Sequence, residues 1–366
     1  MSRIPVYEPC LDGNVSAYVN ECLTSGWISS RGQFISRFEE AFASYVGADA
    51  ATSVANGTVA IHLALEALGI SSGDEVIVPS FTYIASVNTI IQTGATPVYV
   101  DSLSSTLQVD PAAIIAAITP RTKAVMAVHL YGHPCDMDAI VEICREHNLL
   151  LIEDCAEGFG SLWKGRHVGT FGDAATFSFF GNKTITTGEG GMVLARDPAV
   201  MERCRRLKSQ GVSPSREYWH DMLAFNYRMT NIQAAIGLAQ IEMADHLLNE
   251  KKRVADTYAR LLEGLPLRLH KAVGDVRHSY WMCSIIVDDC QDRDALRAYL
   301  AEHGVETRPF FHMAHHMPHC HTNQVLPVGE ELSKKGINLP SYPKLTTQQL
   351  EHICATIHAY FDCAAV

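Results

Sequence analysis

The sequence predicts an α/β protein in which a mostly parallel sheet is covered by helices on both faces, followed by a smaller α+β domain. Three observations carry this expectation. Short apolar runs alternate with helical patterns from residue 51 to residue 154, the order that builds parallel sheets. LLLI (149–152) is apolar on successive residues, and ATFSFFG (175–181) also reads as a strand buried on both faces. With 366 residues, 47% hydrophobic and 19% charged, the chain is long enough for a large core and a second domain.

ATSV (51–54) is a strand and TVAIHLALEAL (58–68) a helix. DEVIVPS (74–80) is the next strand, with a helix near 82–93. TPVYVD (96–101) precedes a helix near 110–118, and KAVMAVHLY (123–131) precedes a helix over 136–147. LLLIED (149–154) ends the alternation. Strands at 174–180 and 191–195 have no helix between them. A helical stretch covers roughly 230–262. YWMCSIIV (280–287) is a strand in which Tyr280 and Trp281 are expected to pack the small domain. A helix over 292–303, a short strand near 305–308 and a helix over 346–361 complete it. The boundary is placed so that residues 1–245 form the large domain with its N-terminal segment and 246–366 the small one.

A net charge of −11 argues against a nucleic-acid surface, where a basic stripe is needed. The 11 cysteines are odd in number and form no C-x-x-C pair, so reduced thiols in a cytoplasmic protein are expected rather than a disulfide framework. MSRIPVYEPC (1–10) has no apolar signal core, and no apolar run is long enough to span a membrane.

Two charges stand where charge is costly. Lys183 follows the buried strand in FSFFGNKTITTGEGGMV (177–193). A desolvated lysine has a lowered pKa and offers neutral amine to a carbonyl. Asp154 ends an apolar strand, either as a helix N-cap or as the partner of a protonated ring nitrogen. Asn56-Gly57-Thr58 opens the first helix of the sheet, where backbone N–H groups can face a phosphate. Ser178 can add a hydroxyl, and Tyr83, at the start of the second helix, can stack on a ring.

Asn56-Gly57-Thr58, PSFTY (79–83), IEDCAE (152–157), FSFFGNKTITTGEGGMV and NYRMTNIQAAIG (226–237) occur in that order. Together they resemble the DegT/DnrJ/EryC1/StrS family of sugar aminotransferases, which have the aspartate-aminotransferase fold (fold type I) and use pyridoxal 5'-phosphate. The similarity extends from IPVYEP (4–9) to INLPSYP (337–343). SGWISSRG (25–32) and YWHDMLAFNYRMTN (218–231) are most similar to members acting on GDP-linked sugars.

The resemblance implies a large domain with a mostly parallel seven-stranded sheet and a smaller C-terminal α+β domain. It implies that Lys183 binds the cofactor as a Schiff base and moves the proton, and that Asp154 keeps the ring nitrogen protonated. Glu157 would lie near the ring hydroxyl and Tyr83 would stack on the ring. Gly57, Thr58 and Ser178 would hold the phosphate. Asn226 would reach the phosphate of the neighbouring subunit, which implies a homodimer with shared active sites. Arg31, His129, Arg228, Phe310 and His312 are expected near the substrate.

The implied reaction moves an amino group from L-glutamate, through pyridoxamine 5'-phosphate, to the C4 keto group of a nucleotide-linked 4-keto-6-deoxyhexose. GDP-4-keto-6-deoxy-D-mannose is the first candidate and a dTDP- or UDP-linked sugar the alternative. Family members that are sugar dehydratases have His where this chain has Lys183, which argues against a dehydratase. The product would enter O antigen or a related surface glycan. RPFFHMAHHMPHCH (308–321) has five His and one Cys at spacings open to zinc or nickel. The resemblance makes it a loop near the nucleotide sugar, and no metal site is expected.

Overall fold

The computed structural model describes residues 3–288 and 292–364. Its centre is a seven-stranded sheet in the order Ala51–Val54, Gly191–Ala195, Ala174–Ser178, Leu150–Asp154, Thr122–Val128, Glu75–Pro79, Thr96–Val100. The four pairings from Ala174–Ser178 to the far edge are parallel. Gly191–Ala195 runs antiparallel to both its neighbours. The connection 179–190 holds no helix, and strands joined without a crossover helix commonly pair antiparallel.

Apolar residues in succession bury both faces of this sheet. Val76, Val78, Ala124, Met126 and Ile152 enter one core, while Ile77, Val125, Ala127 and Leu151 enter another on the opposite side. The crossover helices Gly57–Ala67, Ala85–Gln92, Pro111–Ala117 and Met137–His147 supply the covering layers. Asn56, Asp110 and Asp136 cap three of them, accepting the N–H of Val59, Ala112 and Ala139. Strand C-termini and helix N-termini therefore meet along one rim, where an α/β sheet presents its ligand site.

The helical stretch near 230–262 is two helices, Asn231–Glu242 and Ala244–Leu261, separated at Met243. The expected boundary at 245/246 falls in the first turn of the second. Beyond it, an antiparallel four-stranded sheet has the order Leu267–Leu269, Cys283–Val287, Gly336–Leu339, Arg308–Pro309. Arg293–Glu302 and Thr347–Ala364 pack on its core. The N-terminal segment returns to this part of the chain, with Ile4 exchanging backbone hydrogen bonds with Gly304 and Glu306. Helices Val15–Ser25, Gln33–Val46 and Pro327–Lys335 and strand Gly336–Leu339 are additional to the sequence expectation. No helix among the described residues is long and apolar enough to cross a membrane.

Candidate active site

The rim surrounds a cavity of about 500 Å³ lined by residues from seven segments, among them Gly57, Thr58, Tyr83, Asp154, Glu157, Ser178 and Lys183. At one end lies the start of helix Gly57–Ala67. Asn56 Oδ1 accepts the Val59 N–H at 3.0 Å, while helix geometry leaves the N–H groups of Gly57 and Thr58 without a helical acceptor. Ser178 faces them closely: a Cβ on Gly57 would lie 2.6 Å from the Ser178 Cβ. Two N–H groups and two hydroxyls so placed can cradle an anion.

Asp154 sits at the end of its strand and is buried. Ser86 Oγ donates to its Oδ2 at 2.7 Å and the Ala156 N–H to its Oδ1 at 3.0 Å. The carboxylate is fixed from two sides and faces the cavity, so a cationic ligand group there finds an oriented counter-charge.

Lys183 lines the same cavity, its side chain 13% exposed. Its Nζ is 3.9 Å from Glu157 Oε1 and 4.0 Å above the Trp281 ring centroid. Burial lowers the Lys183 pKa, opposed by Glu157 and Asp154. Burial also pushes the Glu157 carboxyl up to about 7, against the pull of Lys183 and of the Tyr131 N–H. Both shifts favour neutral forms, because desolvation outweighs an attraction that never reaches hydrogen-bond distance. A lowered pKa gives Lys183 a larger share of neutral amine to act as base and nucleophile.

Four residues complete this geometry without having been expected in it. Ser86 orients Asp154. Trp281, expected only to pack the small domain, lines the cavity and donates its Nε1–H to the Asn182 carbonyl at 2.8 Å. Tyr131 adopts a left-handed φ of 56° and thereby aims its N–H at Glu157 Oε2, 2.6 Å away. Its hydroxyl accepts the Phe311 N–H at 3.0 Å. Phe311 lines the cavity, 5.5 Å from the half-exposed Tyr83 ring.

The five residues expected near the substrate are not among those lining the cavity. His129 is fully buried behind Asp154: its Nε2 donates to Glu153 Oε2 at 3.1 Å and its Nδ1 accepts the Cys135 N–H. Glu153 in turn accepts N–H groups of Gly169, Phe171 and Gly172. Phe310 is buried against Phe81 and Tyr131, so the neighbouring ring, Phe311, takes the cavity position. His312 and Arg31 are exposed. Arg228 donates to the side chain of the exposed Asn226 at 2.9 Å, and Asn226 does not line this chain's own cavity.

Residues 9–358 match the model of the DegT/DnrJ/EryC1/StrS aminotransferase family. The chain is 54% identical over 363 residues to the GDP-perosamine synthase of Escherichia coli O157:H7, covering 99% of this chain and 100% of that protein. It is 51% identical over 365 residues to the GDP-perosamine synthase of Vibrio cholerae, covering 98% and 100%. The solved structure of the aminotransferase TlmJ from Streptoalloteichus hindustanus matches with a TM-score of 0.95 at 31% identity, over 99% of this chain and 100% of that one.

Proposed function

Because the chain belongs to the DegT/DnrJ/EryC1/StrS aminotransferase family, we propose that it transfers the amino group of L-glutamate to C4 of GDP-4-keto-6-deoxy-D-mannose, giving GDP-perosamine. It is a sugar aminotransferase dependent on pyridoxal 5'-phosphate. The observation that carries the reading is the pairing, around one cavity, of a nearly buried Lys183 with a fixed Asp154 carboxylate.

The residues fit the cofactor. A Cβ at position 57 would fill the cradle, and the cradle's donors suit a phosphate. Bound there, pyridoxal 5'-phosphate supplies an aldehyde carbon for amines and a ring that takes up electron density when a C–H bond beside the nitrogen breaks. Gly57, Thr58 and Ser178 would hold the phosphate, Tyr83 would flank the ring, and Asp154 would hold a proton on the ring nitrogen. Lys183, its basicity reduced by burial, takes a proton from the substrate carbon and returns it. Glu157, titrating near 7, gives or accepts charge in step with it. The Trp281 face stabilises the ammonium while the proton resides there.

The choice of a GDP-linked sugar rests on the two synthases matched over their full lengths. Mass spectrometry of products from L-glutamate with GDP-, dTDP- and UDP-linked 4-keto-6-deoxy sugars tests it. Amination of the GDP sugar should be fastest, and a faster dTDP or UDP substrate would reverse the assignment. The reading includes a cytoplasmic homodimer with shared sites, whose product supplies a surface glycan such as O antigen. Exposed Asn226 supports the shared site, as do the apolar surfaces of Trp27, Ile28, Tyr218 and Leu223. Mixing a Lys183→Ala chain with an Asn226→Asp chain should restore activity that neither has alone. No restoration, with exchange of subunits verified, counts against sharing.

A further inference from the structure

Away from the cavity, the chain gathers two histidines and a carboxylate in the His-rich segment. His315 and His316 lie in the one-turn helix Ala314–His316, and Glu330 in the helix Pro327–Lys335 beside it. His315 Nε2 is 3.8 Å and His316 Nε2 3.9 Å from Glu330 Oε1. All three atoms lie within 4.8 Å of one another.

His315 is fully buried and its Nε2 has no hydrogen-bond partner. Its Nδ1 is 2.6 Å from Ser80 Oγ, which also accepts the His315 backbone N–H at 3.2 Å. Either tautomer leaves Nε2 unsatisfied, as a bare lone pair or as an N–H beyond reach of Glu330. With Nδ1–H donated to Ser80, the lone pair points at the cluster, the arrangement that orients metal-ligating histidines. We propose that His315 Nε2, His316 Nε2 and a Glu330 oxygen bind one zinc ion, with water at the fourth position.

Two imidazoles and one carboxylate suit zinc, whereas magnesium and calcium need oxygen cages. Tetrahedral zinc with bonds of about 2.0–2.1 Å would bring its ligand atoms to about 3.3 Å apart. The two gaps to Glu330 therefore close by about half an ångström, and the gap between the two imidazole nitrogens by at most about 1.5 Å. His316 and Glu330 are partly exposed and can make that movement.

The other three-residue group, His129, Glu153 and Cys155, is closed. Glu153 is taken up by three N–H groups and His129, and His129 Nδ1 by the Cys135 N–H. The loop's spacing was open to zinc, and the resemblance set the metal aside; the third ligand, on a separate helix, was not legible from the loop. The site is tied to the cavity rim. Ala314 N–H donates to the Ser80 carbonyl and Met313 pairs with Phe81. Zinc would pin the loop that carries Phe311 against the strand end that leads to Thr82 and Tyr83. This inference is independent of the substrate assignment.

The test uses the full chain, loaded with its cofactor, purified without a His tag and stripped with EDTA. Zinc titrated against a chromophoric chelator should bind at one per chain. It should raise the melting temperature where magnesium does not. His316→Ala and Glu330→Gln, both at partly exposed positions, should each weaken zinc binding more than about tenfold, and His319→Ala should not. Absence of stoichiometric zinc, or the same affinity in the His316→Ala and Glu330→Gln variants as in the parent, would overturn the proposal.

Discussion

One hydrogen atom at position 57 keeps the proposed phosphate cradle open. Gly57 is not in a left-handed conformation, so the demand for glycine comes from proximity: a Cβ would also lie 2.9 Å from Ser178 Oγ. Gly57→Ala should displace Ser178 and weaken pyridoxal 5'-phosphate binding by about tenfold or more, since each charge-assisted bond lost contributes about 1.5–3 kcal/mol. Titration followed by the absorbance of the bound cofactor measures this, and unchanged affinity would remove the cradle from the site. Gly57, Lys183 and Asp154 were legible because each violates a local rule: a glycine opens a helix, and charges end apolar strands. Tyr131, Trp281 and Ser86 violate none. They read as ordinary strand or helix residues, and their roles arise from segments brought together across the fold. Phe310 and Phe311 differ by one residue in an extended segment, where neighbours face opposite sides. The sequence alone could not choose which ring enters the cavity.

Between elements, helix Gln33–Val46 packs closely against helix Asn231–Glu242. Phe34, Phe38 and Phe42 repeat every four residues and are buried as one stripe. A Cβ on Gly237 would lie 2.6 Å from the Phe38 ring, which is itself held by Phe42 and Phe179. Gly237→Ala gains up to about 1 kcal/mol of helix propensity but overpacks a ring with no room to move, at about 1–3 kcal/mol. The net should be a lower melting temperature, and a higher one would mean that the helices can separate freely. The same stripe was available in the sequence, yet the helix stands before the strand–helix alternation and outside the pattern that identified the sheet. The opposite difficulty arose near 230–262, where unbroken helical propensity hides the change of direction at Met243. Parallel strands, by contrast, were legible nearly residue by residue because burial on both faces leaves unbroken apolar runs.

For the molecule as a whole, buried neutral histidines set an acid limit. His133, His270 and His278 cluster where the loop after strand Thr122–Val128 meets the segments that follow strand Leu267–Leu269, with ring centroids 4.8–5.5 Å apart. Their hydrogen bonds require neutral rings. His270 Nε2–H donates to the Thr106 carbonyl, and its Nδ1 faces the Nε2–H of His278 at 3.4 Å. His278 Nδ1 accepts the Tyr280 N–H, and His133 Nε2 accepts the Val273 N–H. Burial lowers His270 to about 3 and, in the large domain, His167 to about 4, and it places His278 well below its ordinary value. Each folded pKa lies below the unfolded one of about 6.5. The stability these rings contribute is therefore complete above pH 6.5 and is lost as the pH falls from 6.5 toward 4 and 3, because only the unfolded chain takes up protons there. Glu157, with its folded pKa raised to about 7 by burial, and His129, which burial lowers but Cys135 and Cys155 raise further, oppose this trend, but the rings lowered by burial outnumber them. Each fully neutral ring should lose about 1.4 kcal/mol by pH 5.5, a range in which ordinary carboxylates remain ionised. Urea unfolding between pH 7 and 5.5 should show stability falling with pH, and proton uptake should accompany unfolding. A flat or rising profile would mean that these rings are charged in the fold, which would contradict the hydrogen-bond directions that join the two parts of the chain.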